Sequence, residues 1–108
     1  MTIKRYEIYF ADLNPTIGSE IKMVRPVVIV SQDAMNHYLE TVVICPLTSK
    51  LHPQWRSRLQ IKCITKEAEI AVDQIRTISK QGLKKKIDKL SKNNAAQLRK
   101  FITDMYGE

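Results

Sequence analysis

"GSEIKMVRPVVIVS", residues Gly18–Ser31, joins a polar loop to an apolar run. The segment Pro26–Val30 is short, β-branched and free of charge, which is typical of a buried strand, and proline is tolerated at the first position of a strand. Arg25 stands directly before it. Because a buried strand would anchor the backbone of this arginine, the sequence predicts a guanidinium held where a loop meets the core.

Further strand patterns lie on both sides of this stretch. Residues 5–13 alternate with a period of two, as in a strand with one core face, and so do residues 57–64. The run Thr41–Thr48 indicates a second buried strand. Residues 68–79 are also strand-like, but their alternation slips near residues 73–76, which predicts a bulge or a bend there.

Two helices are expected. Ser31 is the predicted N-cap of a short helix through residues 32–39, and Ser91 of a final helix over about Lys92–Met105. Residues 83–90 have apolar spacing that would suit a helix, although Gly82 and several lysines leave that segment open. The elements together predict one domain over residues 1–108, mostly β with α, with about five or six short strands in a bent sheet or partly open barrel and the last helix packed on it.

The net charge of +7 bears on which kind of binding partner the chain could have. Part of the excess is concentrated in residues 80–92, which carry Lys80, Lys84, Lys85, Lys86, Lys89 and Lys92. Such a run is either a solvated face or a surface that attracts a polyanion, most often nucleic acid or an acidic protein tail. Charge alone does not choose between these partners.

The chain shows no sign of a membrane or an oxidising environment. No apolar run approaches the roughly 20 residues needed to span a bilayer, and the first residues lack the apolar region of a signal peptide. Cys45 and Cys63 lie in apolar runs without a Cys or His at metal spacing, and His37 and His52 lie in separate segments. We therefore expect a cytoplasmic protein with both thiols reduced and no metal site.

The chemistry that remains to such a chain is that of arginine and hydroxyl groups. Arg25 offers a rigid fork of donors that suits phosphate, and Thr48 stands where the buried strand ends and a loop begins. A structural role is the alternative for each residue. Arg25 could be a surface arginine that pairs with Glu20, and Thr48 a turn hydroxyl that caps its own backbone. The residue pattern leaves both interpretations open.

Four motifs occur in one order: GSE at residues 18–20, RPVVIVS at 25–31, PLTS at 46–49 and DQIRTI at 73–78. In this combination the chain resembles the MazF/PemK family of toxin endoribonucleases. The resemblance implies an SH3-like, partly open barrel of the CcdB/MazF type, usually a homodimer. It also implies cleavage of single-stranded RNA (mRNA) without a metal or other cofactor, and a cognate antitoxin whose acidic C-terminal tail lies over the RNA groove.

The resemblance also assigns site residues. Arg25 and Thr48 match the catalytic pair of the family, while Glu20 and Gln74 match positions near the RNA groove. Side chains able to bond the edges of splayed bases extend the substrate-binding set, which comprises Ser19, Glu20, Lys22, Ser49 and Gln74. The sequence departs from many relatives at residues 21–24, where they carry a glycine and this chain has none.

Other interpretations stay open. Trp55 and Arg56 could offer a stacking surface for bases, or the tryptophan could pack on the barrel. The same fold hosts gyrase poisons of the CcdB type, although the final residues 101–108 lack the Trp-Gly-Ile ending of CcdB. A barrel that binds RNA without cutting it is the third possibility.

Overall fold

The strands follow the alternating patterns of the sequence. The computed structural model describes residues 2–13 and 24–107, and within them the chain forms seven strands and two α-helices. Their bounds are β1 (Glu7–Asp12), β2 (Val24–Ile29), α1 (Asp33–Tyr38), β3 (Thr41–Thr48), β4 (Arg58–Cys63), β5 (Lys66–Ala71), β6 (Arg76–Ser79), β7 (Leu83–Lys89) and α2 (Lys92–Tyr106). The predicted mostly-β class, with a short helix after the second strand and a terminal helix, is confirmed.

The described residues form seven strands, one more than the upper end of the five or six that the sequence predicts. The strand β2 begins at Val24 rather than Pro26, because its first residues pair with β1 at Asp12↔Val24 and Ala11↔Arg25. The lysine-rich segment from Leu83 to Lys89, which the sequence leaves open, is strand β7. It lies at the edge of the sheet beside β1, where backbone pairing decides its conformation and its lysines reach solvent.

The sheet is antiparallel and curls into a half-barrel around β3. The strand order is β4-β5-β3-β2-β1-β7, and β6 pairs with β3 off this path. The first half of β3 pairs with β6, whereas its end pairs with β5 through Leu47↔Ile70 and Thr48↔Glu69. A 3₁₀ turn at Val72–Gln74 separates β5 from β6, where the sequence predicts a bulge or bend. One strand thus takes two successive partners on the same edge, and the sheet bends there.

Both faces of the central strands are buried. Along β1, Ile8 and Tyr9 enter two different apolar clusters, and along β2 Val28 and Val27 do the same. A strand buried on both faces needs an unbroken apolar run, which is why residues 26–30 show no polar alternation. The helix α2 covers the first cluster with the buried Leu98 and with flanking side chains, namely Phe101, Ile102 and Met105.

The two predicted N-caps have different outcomes. Ser91 is confirmed, because its Oγ accepts a hydrogen bond from the Asn94 N–H at 3.1 Å. Ser31 is not a cap, since α1 begins after Gln32 and has no side-chain cap. The buried hydroxyl of Ser31 instead donates to Asn36 Oδ1 and accepts from the Val43 N–H at 3.0 Å, which joins α1 to β3.

Cys45 and Cys63 are both free and buried. Burial raises the pKa of the Cys45 thiol to about 12. Neither α1 nor α2, the α-helices of the described residues, has the length and apolar character needed to cross a membrane.

Substitution of Leu98 tests how much the packing of α2 contributes. Leu98 is 0% exposed, so Leu98→Ala should lower the free energy of unfolding by about 3 kcal/mol through lost burial and the cavity that remains. Lys100→Ala, on the exposed side of the same helix, should change it by less than about 0.5 kcal/mol. Urea denaturation measures both, and equal effects would contradict the assigned packing.

Candidate active site

Arg25 and Thr48 come together because β2 pairs with β3. The register of these strands is Val27↔Pro46 and Val28↔Cys45, and Arg25 and Thr48 each lie two residues beyond the Val27↔Pro46 pair, at the same end of the ladder. Both residues line one open cleft of about 490 Å³. Residues that lie far apart in the sequence are thus neighbours on one surface.

The cleft combines an apolar floor with a polar rim. Its apolar lining residues include Phe10, Pro26, Leu47, Ala68 and Ile87. The rim adds the cations of Arg25 and Lys66, the hydroxyls of Thr48 and Ser49 and the carboxylate of Glu67. A flat base can lie on such a floor while cations and hydroxyls bind the attached phosphate.

Arg25 extends from a fixed backbone. It is the second residue of β2, and its backbone pairs with Ala11 of β1. The side chain is exposed, and within the described residues it forms no ion pair with a carboxylate. Its proposed structural partner Glu20 lies outside the described residues. Since no carboxylate of the described residues pairs with the guanidinium, its donors can bind a ligand in the cleft.

Thr48 is a turn hydroxyl that keeps a proton available to a ligand. Its Oγ1 accepts a hydrogen bond from the Lys50 N–H at 3.1 Å, as a turn hydroxyl does. A hydroxyl that accepts still carries one proton to donate. Thr48 can therefore hold the turn and also donate to a ligand in the cleft.

The other predicted substrate-binding residues separate into three cases. Ser49 lines the same cleft beside Thr48. Gln74 is exposed in the 3₁₀ turn between β5 and β6 and does not line this cleft. Ser19, Glu20 and Lys22 lie outside the described residues.

A buried carboxylate that the sequence did not reveal lies behind the cleft. Glu67 and Glu69 look alike in the sequence, as solvent-facing acids of one strand, but Glu69 is 0% exposed. It accepts hydrogen bonds from Arg58 Nη1 at 2.7 Å, from Gln60 Nε2 at 2.9 Å and from the His52 backbone N–H. The sequence indicates the burial of Glu69 only once two strands are paired, because Gln60 on β4 is the register partner of Glu69 on β5.

Arg58 connects this carboxylate to the loop that follows Thr48. Its Nε also donates to Asp73 Oδ1 at 2.8 Å, and its guanidinium lies 4.8 Å from the ring centre of Trp55. The ring of His52 stacks on Trp55 at 3.9 Å. His52 and Arg58 thus hold the indole in place, but Trp55 remains 47% exposed. Both interpretations of Trp55, packing on the barrel and a stacking surface, therefore stay open.

This network keeps Glu69 charged. Burial alone would raise the pKa of Glu69, but the hydrogen bonds from His52, Gln60 and Arg58 outweigh it and lower the pKa to about 2. Glu69 is also the register partner of Thr48. A charged, fully bonded carboxylate thus lies beside Thr48 and holds the loop that begins at Ser49.

Within the ranges 2–13 and 24–107, no three His, Cys, Asp or Glu side chains are grouped so that they could hold a metal ion. A family model described as "PemK-like, MazF-like toxin of type II toxin-antitoxin system" matches residues 4–106. The chain belongs to the PemK/MazF toxin family. The resemblance seen in the four motifs is therefore confirmed over nearly the whole chain.

Solved PemK/MazF structures have the same fold. The toxin MazF-mt6 of Mycobacterium tuberculosis is 18% identical, with a TM-score of 0.78 over 93% of this chain and 95% of its own. MazF of Deinococcus radiodurans is 15% identical, with a TM-score of 0.82 over 100% of this chain and 99% of its own. A mycobacterial endoribonuclease in complex with its cognate antitoxin is 19% identical, with a TM-score of 0.77 over 98% and 94%. The MazF-type barrel is thereby confirmed.

Glu69→Gln tests the buried network, with Glu67→Gln as the matched control on the same strand. At neutral pH we expect Glu69→Gln to cost about 3 kcal/mol of unfolding free energy, because Arg58 loses a buried partner, and exposed Glu67→Gln to cost almost nothing. The folded pKa of Glu69 lies below its usual value, so its stabilisation is present above about pH 4.5 and lost toward pH 2. Urea denaturation across this range should show a smaller acid loss in Glu69→Gln, and parallel pH profiles would contradict the assignment.

Proposed function

We propose that this protein is an endoribonuclease toxin that cleaves single-stranded RNA, with Arg25 and Thr48 as its catalytic pair. The observation that carries the proposal is the open cleft that both residues line. Membership of the PemK/MazF family supports it. Mycobacterial endoribonucleases with the same fold add further support.

The reaction needs no nucleophilic side chain, because RNA carries its own. The 2′-hydroxyl loses its proton as its oxygen attacks the adjacent phosphorus and an O2′–P bond forms, and the bond from phosphorus to O5′ breaks as O5′ takes up a proton. The products are a 2′,3′-cyclic phosphate and a 5′-hydroxyl end. The protein must align the attack and stabilise the extra negative charge of the phosphorane.

Arg25 and Thr48 suit these two tasks. The guanidinium of Arg25 can donate two parallel hydrogen bonds to phosphorane oxygens. Thr48 can donate its remaining proton to a phosphate oxygen and so fix the orientation of the scissile group. This chemistry requires no metal ion or other cofactor, so we propose metal-independent cleavage.

We propose further that RNA and antitoxin compete for this surface. The net charge of +7 favours an acidic partner as well as RNA. Structural relatives with an antitoxin include MazE–MazF of Deinococcus radiodurans. A cognate antitoxin with an acidic C-terminal tail would neutralise the cations that the RNA needs. We also propose a homodimer, which acts in the cytoplasm.

Variants of the catalytic pair test the mechanism. Arg25→Ala and Thr48→Val each remove a donor to the phosphorane and should lower kcat on single-stranded RNA by about 10²–10³, or about 3–4 kcal/mol. Thr48→Ser keeps the hydroxyl, and Arg76→Ala removes an exposed arginine of β6, so both should retain most of the activity. Circular dichroism should show an unchanged fold in all four variants. A fully active Arg25→Ala enzyme would refute the assignment.

Chelation tests the proposed absence of a metal. Cleavage of a long single-stranded RNA should continue at the same rate in excess EDTA, and the new ends should carry 5′-hydroxyl groups. Loss of activity that added Mg²⁺ restores would show that the mechanism is wrong. Intact RNA together with blocked supercoiling would indicate a gyrase poison, and binding without either effect would indicate an RNA-binding module.

A further inference from the structure

A second cleft lies away from Arg25 and Thr48. It has a volume of about 850 Å³ and shares no lining residue with the first cleft. We propose that this cation cleft binds the phosphate backbone of single-stranded RNA outside the reaction cleft and so adds affinity for long substrates. The identity of the polymer rests on the proposed function. Its cations come from the chain start, β7 and α2, and they are Lys4, Arg5, Lys86, Lys89, Lys92 and Arg99.

The charge of the cation cleft is only slightly compensated. Glu7 is the acid among its lining residues, and Lys86 Nζ lies 2.6 Å from its Oε2. Its Oε1 accepts further hydrogen bonds from the Lys4 backbone N–H at 2.8 Å and from Tyr9 at 3.0 Å. Burial alone would raise the pKa of Glu7, but these bonds lower it, so the carboxylate is charged and fully engaged. The side chains of the remaining cations form no ion pair with a carboxylate within the described residues, although the Arg5 backbone N–H donates to Asp33 Oδ1 at 2.7 Å.

Two arginines are held in place over one tyrosine. The Cζ atoms of Arg5 and Arg99 lie 5.0 Å and 5.7 Å from the ring centre of Tyr6, and Arg99 Nη1 donates to the Tyr6 hydroxyl at 3.3 Å. The buried Nε of Arg5 has no hydrogen-bond partner in the described structure. Two like charges on one ring repel each other. A phosphate bound beside the two guanidiniums would offset this repulsion.

The backbone of Tyr6 is strained to present this ring. Its φ of 72° lies in the left-handed region, which aromatic residues rarely adopt. The Tyr6 N–H donates to the Ile29 carbonyl at 2.7 Å, and its carbonyl accepts from the Leu90 N–H at 2.9 Å. These two bonds hold the strained residue between β2 and the start of α2. Strain of this kind is found where function requires a fixed geometry.

The start of α2 adds to the positive field. The helix has 15 residues, its first turn contains no acidic residue, and it begins with Lys92. The helix dipole favours an anion at this end and disfavours a lysine. Ser91 caps one free N–H group, that of Asn94. Lys92 at the N-terminus of α2 is unfavourable by itself. A phosphate in the cleft would interact favourably with both the lysine and the helix end.

The shape favours a nucleic-acid strand over a single anion. The cations are spread over three segments around a groove much larger than one phosphate group. Arginine forks match phosphate in a bidentate manner. The reaction cleft holds only a short part of a substrate chain, so the rest of a long RNA must cross the surface elsewhere.

The test uses a long and a short single-stranded RNA in which every 2′-hydroxyl is methylated, so that neither can be cleaved. Lys89→Gln/Arg99→Gln neutralises two cations of the cleft. Lys85→Gln/Lys100→Gln is the matched control, because it removes equal charge from β7 and α2 at exposed positions outside the cleft. Circular dichroism and cleavage of a short RNA confirm that each variant folds.

We expect the cleft variant to bind the long RNA about 10-fold more weakly than wild type. The slope of log Kd against log salt concentration should fall by about 1.4, since each contact to a single-strand phosphate contributes about 0.7. The control variant should keep both the affinity and the slope much closer to wild type. Neither variant should alter binding of the short RNA, which fills only the reaction cleft.

Three results would overturn the proposal. One is unchanged binding of the long RNA by the cleft variant, and another is an equal loss in the control variant. The third is that poly-glutamate binding depends on the cleft while RNA binding does not, which would assign the cleft to an acidic protein segment. The probe is not cleaved, so failure of the proposed nuclease activity would appear in the cleavage assay and not here.

Discussion

The antiparallel pairing of β2 with β3 is the interaction on which the rest of this structure depends. Its backbone ladder joins Val27–Ile29 to Ile44–Pro46, and both strands are buried on both faces. Because the two apolar clusters pack on opposite sides of the same ladder, a slip of one residue would exchange the clusters and break both. The same pairing brings the strand ends that carry Arg25 and Thr48 to one cleft, where the strands leave the core. Core packing and site geometry therefore have one common cause.

Buried and exposed charges differ in whether they have partners within the protein. Behind the reaction cleft, Glu69 is fully bonded, and this closed network holds the loop after Thr48. At the two clefts, most cations form no ion pair with a carboxylate in the described residues, Lys86 with Glu7 being the exception. A buried charge requires a partner within the protein, whereas an exposed cation is solvated by water and stays available to bind a ligand. This difference separates the supporting network from the surfaces that we propose to bind RNA.

Most of the elements could be predicted from local patterns, and the misses share one cause. The alternating and apolar runs, the break before β6 and the Ser91 cap depend on neighbours in the sequence. Strand β7, the role of Ser31 and the burial of Glu69 depend on partners far along the chain. Ser31 acts on β3 through space, and Glu69 is buried because β4 presents Arg58 and Gln60 to it. Propensity and spacing carry no information about such partners.

By itself, the sequence determined a mostly-β domain, its basic charge, its family motifs and the two residues best suited to bind phosphate. These properties follow from side-chain chemistry and from periods of two or 3.6 residues. Only the tertiary structure decided that Arg25 and Thr48 share a cleft, that Gln74 lies outside it, and that Arg5 and Arg99 meet over Tyr6. The reason is that contacts between distant segments arise from the register of the strands and the packing of α2, and no local pattern encodes either.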